Sequence, residues 1–126
     1  MFAEGGRRGA ELRTTAWAAH NASSGCTDPA LKSAARAASL TAATAYMHPD
    51  LIDATQLKHL YGPLVYTAQA LGLADDGSPE VGERTLADAL SRATVSVRSL
   101  ARSMPALPIA KTRLSHLYAI LDAGLR

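Results

Sequence analysis

The stretch SPEVGERTLADALSRATVSVRSLARSMP (78–105) carries the clearest periodicity in the chain. Ser78 suits an N-cap, and Pro79 takes the first helical position, where a missing N–H has no partner to lose. Glu80 and Glu83 complement the positive end of the helix. Leu86, Leu90, Ala93, Val97, Leu100 and Met104 then recur at alternating spacings of four and three, which marks an amphipathic helix burying one stripe. Arg84, Arg92, Arg98 and Arg102 fall away from that stripe, and Pro105 stops it. The spacing predicts one long helix over 79–104.

The chain organises outward from this segment. Upstream, ADDGSP (74–79) is a loop. Before it, Leu57, Leu60, Leu64, Ala68 and Leu71 form one inward stripe of a third helix, capped by Asp50. Pro63 lies inside that stripe and removes a backbone bond, which predicts a kink or a split near Leu60–Tyr61. The second helix begins at Asp28–Pro29 and runs to about Met47. Its Ala34, Ala38, Thr41 and Ala45 make a small-residue stripe, flanked by Leu31, Ala35, Ala42 and Tyr46, with Lys32, Arg36 and Ser39 as the polar edge. A helix so nearly apolar all round is expected at the centre of a bundle. A first helix spans about 10–23, with Leu12, Ala16, Ala19 and Trp17 as its inward residues, and ends at Gly25. The last helix, about 110–124, turns Leu114, Leu117, Tyr118 and Leu121 inward. Residues 1–8 read as a disordered lead-in. The expectation is an all-α fold, a compact bundle of about five helices with a Pro-kinked third, in a single domain over 1–126.

Composition agrees with helix and excludes several classes. Of 126 residues, 48% are hydrophobic, but Phe, Trp and Tyr supply only 5%; small apolar residues and Leu do the rest, and these lose least on entering a helix. One cysteine, Cys26, excludes an internal disulfide and any multi-cysteine metal site. No apolar run approaches the ~20 residues that span a bilayer, and the Gly/Arg-rich start lacks the apolar core of a signal peptide. A cytoplasmic chain without membrane association is expected. A net charge of +2 does not demand nucleic acid. The arginines of the 79–104 helix are the one handle for phosphate, without a recognition helix or stacking platform beside them.

Catalysis finds little support. No His stands four residues from another, and there is no GxSxG, no phosphate-binding Gly-rich loop and no paired-carboxylate signature. Cys26 lies in a loop without an identifiable histidine partner. His48, Asp50, Asp53 and His59 bracket one bend, but capping explains them without a metal. No cofactor and no metal ligand set is assigned. The third helix carries something less ordinary. Gln56, His59, Pro63 and Tyr66 share one sector, and Gln, His and Tyr are poor choices for plain solubility. They suit a buried hydrogen-bonded network, a small pocket or a partner surface.

The run AARAASLTAATAYMHPDLIDATQLKHLYGPLVYTAQAL (34–71), with its HP, Q-x-x-H and GP-x-x-Y elements, resembles a family of bacterial all-helical immunity proteins. The link SMPALP (103–108) and the closing LDAGLR (121–126) fit the same pattern. The resemblance implies an all-α fold and neutralisation of a toxin by direct protein binding. By position it singles out His48, Pro49, Gln56, His59, Gly62, Pro63 and Tyr66 as signature residues. The expected partner is then a toxin-like protein. The alternatives are a small-ligand or metal-binding bundle using the Gly62–Pro63 break, and, less favoured, a nucleic-acid-associated protein. The small-residue stripe and the leucine seam also lead to the expectation of a homodimer over a monomer.

Overall fold

The computed structural model describes residues 6–7, 9–46, 54–108 and 111–126, apart from the side chain of residue 55. Six α-helices follow one another: α1 (Ala10–Gly25), α2 (Pro29–Ala43), α3 (Thr55–Ala74), α4 (Pro79–Ser91), α5 (Val95–Ser103) and α6 (Arg113–Leu125). A short 3-10 turn, Thr44–Tyr46, extends α2. The fold is all-α, and no strand occurs among the described residues. No helix among them is long and apolar enough to cross a membrane.

Side chains supply several of the helix starts. The Asp28 carboxylate accepts from the Leu31 N–H at 3.0 Å ahead of Pro29, and the Thr112 hydroxyl accepts from the Ser115 N–H at 3.1 Å. Asp50, expected to cap α3, lies outside the described residues, and the helix begins at Thr55. Asp76 and Gly77 take positive φ in the loop before α4, the backbone region that glycine enters without steric penalty. Arg113 of α6 pins that loop, donating to the carbonyls of Gly77 and Ser78 at 2.6 and 2.9 Å.

Two expectations about the bundle are corrected. The predicted 79–104 helix is two helices, which makes six rather than five. It breaks at Arg92–Thr94, where the Thr94 hydroxyl accepts from the Val97 N–H at 3.3 Å and caps α5. Arg98 then reaches back to the carbonyl of Leu90 at 2.9 Å and across to that of Gly124 at 2.6 Å. One cation thus satisfies terminal carbonyls of α4 and α6, where the helix dipole favours positive charge. The break rotates the stripe, so Ala101 and Met104 are buried while Val97 is exposed.

The predicted kink is also not found: α3 runs unbroken from Thr55 to Ala74 through Pro63. Pro63 leaves the His59 carbonyl without its usual N–H. Thr44 Oγ1 stands 3.4 Å from that carbonyl while bonding more closely, at 2.8 Å, to Leu40. Tyr118 Oη lies 3.5 Å from the neighbouring Lys58 carbonyl. Hydroxyls from α2's extension and from α6 therefore flank the gap, and helices packed on both sides hold α3 in line.

The apolar core lies between α3, α4, α5 and α6. Leu57, Tyr61, Val65 and Ala68 of α3 meet Leu86 of α4, Ala101 of α5, the following Met104, and Leu117, Leu121 and Leu125 of α6. The inward face of α3 is thus turned from the predicted stripe, and Leu64 and Leu71 are 39% and 47% exposed. Tyr61 donates to Asp122 at 2.7 Å, and Asp122 pairs with Arg126 at 2.9 Å, so the phenol of this buried side chain is satisfied. Burial, with that bond added, raises its pKa well above the ordinary tyrosine value. The centre of the molecule is α3, not α2 as the alanine pattern suggests. One side of α3 packs on α4 and α6, the other on α2, and α1 packs on α2 in turn.

Candidate functional site

The side of α3 that meets α2 is built from different materials. The buried residues of α2 are Ser33, Ala37 and Ser39, and Arg36 between them is half-buried. Ala34, Ala38 and Thr41 are exposed, and Leu31 is 63% exposed. This reverses the expected orientation, since part of the predicted polar edge faces inward and the small-residue stripe faces water. The physical reason is that exposing an alanine costs little, whereas each inward polar group here finds a partner. Ser39 donates to the Ala16 carbonyl at 3.2 Å, and Gln69 Nε2 donates to Ser33 Oγ at 3.1 Å. The one buried residue of α1 is Ser23. Trp17, an expected inward residue, is 60% exposed.

Arg36 stands at the middle of this seam. Its Nη1 lies 2.6 Å from His20 Nδ1. A guanidinium has only donors, so the imidazole accepts at Nδ1 and, as the neutral ring, carries its proton on Nε2. Trp17 meets the same ring edge-on, with centroids 5.6 Å apart. No carboxylate pairs with Arg36 among the described residues. A half-buried cation facing a neutral partner is an expensive arrangement for stability alone.

Two cavities open on either side of this guanidinium. The first, about 510 Å3, has an aromatic and aliphatic wall of Trp17, Leu40, Ala43 and Tyr46, with Arg13, His20, Arg36 and His59 bringing nitrogen. Arg13 sits 5.5 Å from the centroid of the Tyr46 ring, whose hydroxyl donates to the Gly9 carbonyl at 2.9 Å and ties the start of α1 to the end of α2. The second, about 440 Å3, is lined by Ser23, Ser33, Lys32, Arg36, Tyr66 and Gln69, among others. Among the described residues neither lining contains an Asp or Glu. Tyr118 of α6 lies close by: burial pushes its phenol up to about 12, with Tyr66 adding to the rise and Arg36 opposing it.

The sequence-predicted residues distribute unevenly over this geometry. His59 lines the first cavity and Tyr66 the second, with Arg36 shared between them. Gln56 lines neither; its Oε1 is buried without a hydrogen-bond partner among the described residues. Gly62 is buried against the Leu40 side chain of α2, and a Cβ there would stand 2.5 Å from Leu40 Cδ1. Pro63 sits half-buried beside it. His48 and Pro49 lie outside the described residues, as do Asp50 and Asp53 of the considered cation cluster. Among the described residues no group of three or more His, Cys, Asp or Glu is placed to hold a metal ion. Arg13, Trp17, His20 and Arg36 were not singled out by pattern. The available signal was an arginine flanked by serines three residues to either side, at 33, 36 and 39, in a helix otherwise rich in alanine.

Several of the remaining charged groups are already paired within the fold. A third concavity of about 560 Å3 is walled by Lys58, Tyr118, Asp122 and Arg126, but Asp122 and Arg126 already pair with each other. Of the four arginines on the 79–104 segment, Arg98 caps two helices, Arg102 donates to the Arg126 carbonyl at 2.8 Å, Arg92 pairs with Asp88 at 2.8 Å, and Arg84 is exposed on α4. They do not form one continuous phosphate-facing row. Arg36, by contrast, is half-buried with no carboxylate beside it among the described residues. No family model matches this chain, and no curated protein or solved structure matches it either.

Proposed function

We propose that this chain is a small, non-catalytic helical binding protein whose site is the cleft between α1, α2 and α3. The observation that carries the reading is Arg36, half-buried between two cavities and met by the His20 imidazole, with no carboxylate beside it among the described residues. Ligand sites are typically concave, largely apolar and furnished with a few placed polar groups, and they measure roughly 300–1,000 Å3. The first cavity, about 510 Å3, fits that description. Among the described residues that line it no nucleophile–base pair is arranged, which favours binding over turnover.

A titration followed by amide correlation spectra tests the reading with a fragment collection containing acids, bases and neutral compounds. Shifts clustering on Ala16, Trp17, His20, Arg36, Leu40, Ala43 and His59 are expected. Clustering on Lys58, Ser115 and Ala119 instead would move the site to the third concavity and overturn it.

A second reading keeps the same cleft but makes the occupant a protein, the toxin-like partner that the resemblance implies. Trp17 favours it, because an exposed tryptophan beside a cavity is the residue type that most often anchors protein interfaces. Under that reading, Trp17→Ala abolishes capture of the partner while the fold survives.

A further inference from the structure

We infer that the ligand of the α1–α2–α3 cleft is a small apolar monocarboxylate, seated with its carboxylate on Arg36 and its apolar body between Trp17, Leu40 and Ala43. This rests on the small-ligand reading of the cleft and adds the chemical class. The sign of the charge follows from the lining. Arg13, Arg36 and two histidines supply the first cavity's basic groups, and among the described residues the lining contains no Asp or Glu. An anion there answers a guanidinium whose one side-chain partner among the described residues is the His20 ring.

The choice of carboxylate follows from geometry and count. His20 occupies one donor of Nη1, which leaves paired N–H groups on the rest of the guanidinium fork for bidentate contact with a planar carboxylate. One inward guanidinium balances one negative charge. A dianionic phosphate would need further donors, and Arg13, the other guanidinium lining this cavity among the described residues, is exposed and lies over the Tyr46 ring at 5.5 Å. His20 acts here as a positioning residue, holding the fork in a fixed plane.

The apolar requirement follows from the wall. Ala16, Leu40 and Ala43 offer no hydrogen bonds from their side chains, and Trp17 presents an exposed ring at the rim. An aromatic or short aliphatic body covering that ring removes apolar area from water. Trp17 is also the sole tryptophan of the chain, so its fluorescence reports the cavity directly.

The test is a Trp17 fluorescence titration with benzoate, phenylacetate, 3-phenylpropionate and 4-phenylbutyrate, each paired with its primary amide, and with inorganic phosphate alone. At least one acid is expected to bind about 10- to 100-fold tighter than its amide, the range for a charge-assisted hydrogen-bonded pair. Arg36→Met should erase that preference, and Arg36→Lys should restore only part of it. Circular dichroism of both variants confirms that the helices persist. Equal binding of acids and amides overturns the carboxylate assignment while leaving the cleft as the site. Tighter binding of phosphate than of any acid overturns the apolar monocarboxylate. If no acid binds below about 10 mM, the inference fails. If the fragment titration also places every shift outside the cleft, the binding-site reading fails with it.

Discussion

The two faces of α3 solve the same packing problem with opposite materials. Toward α4, α5 and α6 it presents Leu57, Tyr61, Val65 and Ala68, all buried against leucines. Toward α2 it presents Gly62, Tyr66 and Gln69, against Ser33, Arg36 and the tip of Leu40. Burying a leucine stabilises by roughly 1.5–3 kcal/mol, whereas a satisfied hydrogen bond contributes about 1 kcal/mol net. The apolar side therefore carries more of the stability per buried residue, and the polar side leaves two cavities between α1, α2 and α3. A binding site drawn from the less stable side can open without unfolding the core.

Leu86→Ala gives the largest contrast. Leu86 is fully buried at the centre of the apolar side, and the truncation should cost about 2–5 kcal/mol in urea unfolding. A value below 1 kcal/mol would mean that the division of labour between the two sides is wrong.

Tyr118 joins the two sides, and its effect is expected next. Burial raises its pKa from the ordinary value of 10.0 to about 12, so the fold prefers the neutral phenol. A raised pKa contributes stability that is complete below the unfolded value and is lost as pH climbs toward the folded one. The window is therefore pH 10 to 12, and, with solvent screening of this partly exposed side chain, the loss is about 2 kcal/mol. Unfolding measured at both ends of that window should show the drop in the wild type and a smaller one in Tyr118→Phe. Tyr61, raised in the same direction, accounts for what remains.

Gly62→Ala probes the contact between the sides. Its new methyl would press on Leu40 Cδ1 and approach Tyr118 Oη at 3.4 Å. Because the Leu40 tip is flexible and lines the first cavity, the expected penalty is about 1–2 kcal/mol, with a change in Trp17 fluorescence as Leu40 shifts. Loss of stability without any spectral change would detach the cavity from this contact.

The same asymmetry decides what the sequence makes legible. Helix class, the Asp28–Pro29 start and the loop before α4 follow from local chemistry that acts within a few residues. The break at Thr94 was hidden because the apolar spacing of four and three continues across it. The competing signal was a capping threonine followed by two β-branched valines, Val95 and Val97, which weaken helix continuation. The inversion of α2 was hidden for another reason. Alanine is nearly indifferent to exposure, so an alanine-rich helix shows no dominant apolar face, and its orientation is set by where Ser33, Arg36 and Ser39 find partners on other helices. That information is tertiary. His59 and Tyr66 stand out in the sequence because their residue types are unusual on a helix surface. Arg36 and His20 do not, since an arginine and a histidine sixteen residues apart signal nothing until α1 folds back on α2.

The smallest expected effect is the most discriminating. Arg36→Met keeps the aliphatic stem of the side chain and removes a half-buried charge that has no carboxylate partner among the described residues. If Arg36 were structural, its loss should cost about 3–5 kcal/mol, as breaking a buried ion pair does. The seam instead leads to a change within about 0.5 kcal/mol of zero or a small gain, because desolvating the cation opposes folding. His20 Nδ1 loses a donor, but it borders a cavity that water can enter, so the vacated acceptor can be solvated. Measured beside Leu86→Ala under the same urea conditions, a neutral or stabilising Arg36→Met would assign the arginine to function rather than to folding. A large loss would make it a structural pin of α1 and remove the reason to look for an anion.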